Sequence, residues 1–228
     1  MRLLLLFLFL MMWKYAKPQT DMYADKRHEM VKDQIIDRGI VNSEVIRAMR
    51  KVPRHLFVPL EYQNDAYGDF PLPIGYGQTI SQPYIVAYMT EVIKPGRKSK
   101  ALEIGTGSGY QAAVLSEIVD SVYTIEIVSE LATEALLRLK KLGYNNVVGR
   151  SGDGYNGWAN HAPFDIIIVT AAATEIPQPL IEQLAENGHL VIPVGKSYEL
   201  QDLILLTKKN GKVEKKRLVP VRFVPFRR

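Results

Sequence analysis

Three glycines at positions 105, 107 and 109 follow directly on Ala101-Leu-Glu-Ile104, and Glu103 stands two positions before the first of them. Glycine has no Cβ, so a turn with this rhythm lets backbone come close to a ligand. The dinucleotide fingerprint G-x-G-x-x-G does not fit, because its third glycine would fall on Tyr110. An acid at the strand end suits a cationic or hydroxyl-bearing cofactor better than a pyrophosphate. The combination points to S-adenosylmethionine and methyl transfer, with Glu103, Gly105, Thr106, Gly107, Ser108 and Gly109 as the cradle. Glu126 lies 21 residues beyond Gly105, the distance at which nucleotide folds place an acid on the ribose hydroxyls; capping of the following helix is the competing role. Asp153 sits between Gly152 and Gly154, where an adenine amino group can be read.

These residues need a scaffold, and the flanking sequence describes one. Gln111 to Val119 has helical spacing, with Ala112, Leu115 and Val119 on one face. Ser121 to Glu126 is a strand ending in its acid. Leu131, Ala135, Leu139 and Leu142 recur on a helix closed by Gly143. Asn146 to Gly149 is a third short strand. Asp165 to Val169 is an unbroken apolar run, the signature of a central parallel strand buried on both faces, and Gly188 to Val194 repeats it. Strand alternating with helix predicts an α/β fold with a doubly wound, mostly parallel, Rossmann-like sheet.

Ahead of the sheet, residues 22–99 follow a different pattern. Asp25 to Arg38 is expected to be a charged helix closed by Gly39, and Asn42-Ser43 offers an N-cap to a second. Pro53 and Pro59 bracket an expected extended connector. Phe70 to Tyr84 is a stretch dense in Gly, Pro and small hydroxyls, without an apolar period, ahead of a helix from Ile85 to Ile93. Loops of this composition carry function or disorder, and the aromatic and branched content here argues against disorder.

Length and composition agree. The 228 residues suit one catalytic domain, made of a helical and loop region (22–99) joined to a cofactor-binding region (100–228). Such a chain buries roughly 70% of its unfolded surface without a staple. With no cysteine and four scattered histidines, neither a disulfide framework nor a metal site is expected. Residues 1–21 stand apart. Leu3 to Trp13 is an apolar run too short to span a bilayer, where about 20 residues are needed. It has the look of a signal-peptide core with a poor cleavage site; an anchor, or a true start at Met22, are the alternatives. Without this segment the formal charge falls from +5 to +3, so basicity is weak support for nucleic acid as a partner.

Gly77-Gln-Thr-Ile-Ser-Gln-Pro-Tyr84, paired with Leu102-Glu-Ile-Gly-Thr-Gly-Ser-Gly-Tyr110, resembles the protein-L-isoaspartate O-methyltransferase family. Val52-Pro-Arg54, Phe57-Val-Pro59, Leu72-Pro-Ile-Gly75, Gly152-Asp-Gly154, Pro163 to Ala172, Pro193-Val-Gly195 and Val221-Arg-Phe-Val-Pro225 extend the likeness from about residue 22 to the C-terminus. The resemblance implies a class I methyltransferase with S-adenosyl-L-methionine as cofactor, acting on the free carboxylate of L-isoaspartyl and D-aspartyl residues in damaged proteins. It also implies that Ser81 orients that carboxylate, with Thr79 and Ile80 walling the cofactor. A helix N-cap before Pro83 is the other role open to Ser81. A carboxylate is already anionic at neutral pH, so no general base is required.

Two other functions remain on the sequence alone. One is a methyltransferase acting on nucleic acid or a small acid; against it, Val169-Thr-Ala-Ala172 stands where enzymes methylating a base amino group usually show Asn/Asp-Pro-Pro-Tyr. The cationic run Lys208 to Arg217 fits a solvated hairpin tip around Asn210-Gly211. The other is a binding protein for an adenosine ligand, which loss of Glu103 or the glycines would have favoured. The expectation is a cytoplasmic, monomeric enzyme without nucleic-acid partners, touching membrane only if residues 1–21 are retained. Export to the periplasm or tethering through residues 3–13 is the alternative.

Overall fold

Alternation inside the apolar runs divides the core in two. The computed structural model describes residues 21–196 and 199–228; the apolar run from Leu3 to Trp13 lies outside them. Strands β3 (Lys100–Ile104), β4 (Ser121–Glu126), β5 (Val147–Ser151), β6 (Phe164–Val169), β7 (Leu184–Val194), β8 (Gln201–Lys209) and β9 (Lys212–Val221) form one sheet in the order β5-β4-β3-β6-β7-β8-β9. From β5 to β7 the neighbours are parallel; β7, β8 and β9 form an antiparallel meander. Ala101, Ile166, Ile168 and Val191 pack into one cluster, while Leu102, Ile104, Ile167, Val169, Leu190 and Ile192 pack into another. This period of two puts apolar side chains on both faces of the central strands, which is why those runs are unbroken.

Helices cover both faces. Helix α1 (Ala24–Glu29) continues into a π-helical stretch, Met30–Ile36, and α2 (Ser43–Lys51) follows. Then come α3 (Pro83–Val92), α4 (Tyr110–Ser116), α5 (Ser129–Lys141) and the short α6 (Gln178–Glu182). The larger cluster takes in Met30, Ile35, Val45, Met49, Val86 and Met89 as well as Val122, Leu139 and Val221. The N-terminal helices therefore share a core with the sheet.

Three expectations need correction. The segment between Pro53 and Pro59 is a 3-10 turn over Arg54–Phe57, not an extended connector. Only residues that precede proline are pushed to extended backbone, and here those are Val52 (ψ 118°) and Val58 (ψ 157°). The turn sends Arg54 inward, fully buried, where its Nε donates to the Ala66 carbonyl at 2.7 Å and its guanidinium lies 4.9 Å from the Tyr110 ring. The stretch from 70 to 84 is likewise not all loop. It holds a hairpin of β1 (Leu72–Gly75) and β2 (Gln78–Ile80), closed by Gly75, Tyr76 and Gly77, all at positive φ. The helix expected from Asp25 to Arg38 changes from α to π at Met30, which brings Met30, Val31 and Ile35 into the core.

Candidate functional site

Parallel strands that stop at one edge leave backbone groups and side chains facing a common crevice. Here Gly105 follows the end of β3, Glu126 ends β4 and Thr170 follows the end of β6. The three ends are tied together: the Gly105 amide donates to the Ile125 carbonyl at 2.8 Å, and the Thr170 amide to the Ile104 carbonyl at 2.9 Å. The Thr170 hydroxyl also donates to the Gly105 carbonyl at 2.7 Å. A Cβ on Gly105 would lie 2.4 Å from that hydroxyl oxygen, and Gly105 itself has φ +96°, so both space and conformation demand glycine.

Above this edge lies a cleft. Its wall includes Gln78, Thr79, Ile104, Gly105, Gly107, Ile125, Glu126, Ile127, Gly154, Thr170 and Val224 to Arg227. Glu126 is 5% exposed. Its Oε2 accepts from the Gly107 amide at 2.8 Å and its Oε1 from the Val128 amide at 3.0 Å. Val128 is the N-cap of α5, so one carboxylate both supports the helix start and pins the glycine turn. A charged acceptor beside apolar ledges at Ile104, Ile125 and Phe226 suits a ligand with an apolar ring and neighbouring hydroxyls. The residues present therefore fit an adenosine-bearing cofactor.

A second cavity of about 700 Å³ shares Thr79, Thr170 and the C-terminal tail with the first. Ser81 lines it, together with Gln82, Ile85, Leu200 and Arg222. Among the described residues the Ser81 hydroxyl has no hydrogen-bond partner. The N-cap of α3 is Gln82, which makes no side-chain cap, so the helix-capping role open to Ser81 is not what it performs.

The sequence-predicted residues divide into three groups. Thr79, Gly105, Gly107, Glu126 and Gly154 stand in the wall of the first cavity, and Thr79 and Ser81 in the second. Asp153 lies next to that wall: its Oδ1 accepts from the Tyr155 amide at 2.9 Å and its Oδ2 is 3.5 Å from Arg228 Nε. Ile80, Glu103, Thr106, Ser108 and Gly109 lie behind the surface. Ile80 is in the core at 4% exposure. Gly109, at φ +88°, is the N-cap of α4, and a Cβ there would meet Leu139 of α5 at 3.1 Å. Ser108 offers its carbonyl to Arg138 at 2.8 Å.

Glu103 is wholly buried beneath the turn. Its Oε2 accepts from Thr124 Oγ1 at 2.5 Å, and Thr124 Oγ1 lies 2.6 Å from Thr106 Oγ1. Among the described residues its Oε1 has no partner at hydrogen-bonding geometry. Burial pushes its carboxyl up to about 8; the Thr124 hydrogen bond opposes this, the nearby Glu126 charge adds to it, and the Ala112 amide opposes it from nearby. Glu103 thus braces the glycine turn through two threonines instead of facing the cleft.

Sequence reasoning missed Thr170 and the tail. The tail is held by Ala172, whose amide donates to the Val224 carbonyl and whose carbonyl accepts from the Phe226 amide, each at 2.8 Å. Arg228 lies 3.8 Å over the Tyr155 ring. A tail with no apolar period gives no sign of where it docks, and a threonine after a strand has no distinctive pattern.

Comparison with known proteins fits this geometry. The family model described as protein-L-isoaspartate(D-aspartate) O-methyltransferase matches residues 25–228. A protein-L-isoaspartate O-methyltransferase of Opitutus terrae is 58% identical over 205 residues, covering 90% of this chain and 88% of that protein. One of Gloeobacter violaceus is 57% identical, covering 87% and 97%. Among solved structures, a putative protein-L-isoaspartate O-methyltransferase from Plasmodium falciparum, in complex with S-adenosyl-L-homocysteine, superposes with a TM-score of 0.74 at 31% identity, covering 87% of this chain and 97% of that one.

Proposed function

The chain belongs to the protein-L-isoaspartate(D-aspartate) O-methyltransferase family, and on that premise we propose how its own residues divide the reaction between the two cavities. The enzyme transfers a methyl group from S-adenosylmethionine to the free carboxylate of isoaspartyl residues in damaged proteins. The single observation that carries our assignment is the shared wall. Thr79, Thr170 and the tail from Val224 separate a cleft built on Glu126 and the glycine turn from one that exposes the Ser81 hydroxyl.

Bound in the first cleft, S-adenosylmethionine supplies a methyl group on a cationic sulfur. Glu126 would accept from the ribose hydroxyls, Gly105 and Gly107 would allow close backbone approach, and Gly154, with Asp153 beside it, would receive the adenine edge. Glu103, Thr106, Ser108 and Gly109 hold that surface from behind. In the second cavity the Ser81 hydroxyl donates a hydrogen bond to the substrate carboxylate and aims its free oxygen through the shared wall. Among the described residues neither wall contains a histidine. None is called for, because the nucleophile needs no deprotonation at neutral pH; alignment and exclusion of water are what the site supplies.

The test is incubation with radiolabelled S-adenosylmethionine and matched peptides carrying aspartate or isoaspartate. Base-labile label on the isoaspartyl peptide alone is the expected result; label on both, or on neither, overturns the assignment.

We further propose that the enzyme works in the cytoplasm, because its cofactor is made in the cytosol, and that it does so as a monomer without a nucleic-acid partner. No helix among the described residues is long and apolar enough to cross a membrane. N-terminal sequencing of the natural protein tests this, and a form cleaved between residues 14 and 25 in the periplasmic fraction would overturn it.

A further inference from the structure

At the opposite edge of the sheet from the glycine turn is a concavity of about 630 Å³ that methyl transfer does not use. Its floor is apolar, formed by Val92 of α3 and by Leu205 and Leu218 of the meander. Its rim is basic. Lys94 follows α3, Lys209 ends β8 and Lys216 comes from β9, with Lys215 beside it on the alternate face of the strand. Glu214 is the one carboxylate in the wall, and Tyr88, Asn187, His189 and Thr207 complete it. His189, Thr207 and Glu214 lie side by side across β7, β8 and β9, since His189 pairs with Thr207 and Thr207 with Glu214.

One feature sets this cluster apart from ordinary surface charge. Lys94 beyond α3, Lys209 at the end of β8 and Lys216 of β9 line one hollow from three elements, and their field converges inward. Burial holds the His189 imidazole below its ordinary range, and Lys94 and Lys209, on two different elements, push it further the same way. An edge strand carries charge to deter pairing with other chains, which accounts for lysines on β9. It does not account for Lys94, which faces the same hollow from beyond the end of α3.

We propose that this hollow is a binding site for a compound bearing two or more linked phosphates. Ammonium groups are compact point charges, and several around one concavity are matched by a multivalent anion better than by a single carboxylate. The Thr207 hydroxyl and the Asn187 amide add neutral donors. No arginine fork is present to select a planar carboxylate. The apolar floor and the Tyr88 ring give room for an organic group attached to the phosphates, so free polyphosphate and a nucleoside triphosphate share the chemistry.

The test uses the full chain, followed by NMR of the His189 ring and by calorimetry, with inorganic tripolyphosphate, ATP and an oligoglutamate peptide as separate probes. Tripolyphosphate is expected to saturate below about 1 mM at low salt, and to raise the His189 pKa as the anion offsets Lys94 and Lys209. Tighter ATP binding would place the base on the apolar floor; equal binding would restrict recognition to the phosphates. A Lys94→Ala, Lys209→Ala, Lys216→Ala variant should bind at least about tenfold more weakly, raise the His189 pKa without any ligand, and keep the thermal midpoint and the rate of isoaspartyl methylation. The proposal fails if tripolyphosphate leaves His189 unmoved, if the triple variant binds it equally well, or if the oligoglutamate peptide binds and tripolyphosphate does not. Because methylation is read separately, a failure here is distinguishable from a failure of the methyltransferase assignment.

Discussion

Ser81 and Glu103 illustrate two ways a polar side chain serves the same site. Ser81 faces a cavity with its hydroxyl uncommitted. Ser81→Ala should therefore leave cofactor affinity intact and lower kcat/KM for an isoaspartyl peptide by a factor on the order of 10 to 1,000, since one positioned donor to an anion is worth roughly 1.5–4 kcal/mol. No titration should appear or vanish near neutrality; full activity in the variant would leave the backbone amides of the hairpin to hold the carboxylate. Glu103 touches no cavity, and its effect should appear as pH-dependent stability. Its carboxyl is held at about 8 in the fold against 4.5 ordinarily. Between those values the native state binds more protons than the unfolded one, so stability falls as pH rises through that window and levels off above it. Glu103→Gln keeps the shape and removes the titration. Urea unfolding of the variant should show a flatter profile between pH 5 and 8, with the advantage over wild type, a few kcal/mol at most, largest at the upper end. Parallel profiles would mean that Glu103 is ionised throughout.

Regular elements announce themselves through periodicity, and these were readable. Ser121–Glu126 is a strand with the expected limits, β6 departs from Asp165 to Val169 by one residue, and the Asn210-Gly211 turn joins β8 to β9 with both residues at positive φ. Asn42 caps α2 as its position suggests, accepting from the Glu44 and Val45 amides at 3.0 and 3.3 Å. Asn42→Ala should then cost about 1 kcal/mol by chemical denaturation, and no loss would mean that the Glu91 carboxylate, which already accepts from the Asn42 amide at 2.7 Å, holds this end alone. What the sequence concealed was set by tertiary contact. The hairpin at 72–80 turns Leu72 and Ile74 inward, but Pro73 and Gly75 occupy its outward positions in place of polar residues, so the sequence carries no strand signal there. The turn at Arg54 depends on a buried guanidinium, a residue type that sequence patterns place outside. For the site, the glycines and Glu126 were readable because their spacing is dictated by the strand-turn-helix unit that carries them. Thr170 and the tail were not, because they reach the cleft from elsewhere in the chain.

At the level of the whole molecule, cofactor binding and folding should be one coupled equilibrium. The cleft joins β3, β4, β6, the 72–80 hairpin and the C-terminal tail, elements far apart in sequence. A ligand there stabilises only the native state, by about 2.7 kcal/mol at a hundredfold excess over Kd. For a chain of this size that is a rise of roughly 5–10 °C in Tm. Gly107→Val should abolish that rise while remaining folded. Gly107 has φ +51°, where a branched residue is strained, and a Cβ there would sit 3.1 Å from Ile74 of the hairpin, in the path of the ligand. The same measurement tests where the working protein begins. A chain starting at Met22 loses Asp21, whose carboxylate lies 2.5 Å from Arg27 at the surface. Arg27 keeps its bonds to the Arg50 carbonyl at 2.7 Å and to the Tyr67 hydroxyl at 3.2 Å. Asp21 also accepts from the Tyr23 amide at 3.0 Å, so losing this part-exposed pair and the bond at the helix start costs about 1–2 kcal/mol, and the shortened chain should melt within about 8 °C of the full one and show an equal upward shift with S-adenosylmethionine. A shortened chain that fails to bind the cofactor would show that residues 1–21 belong to the catalytic fold, and that neither a signal peptide nor a misplaced start accounts for them.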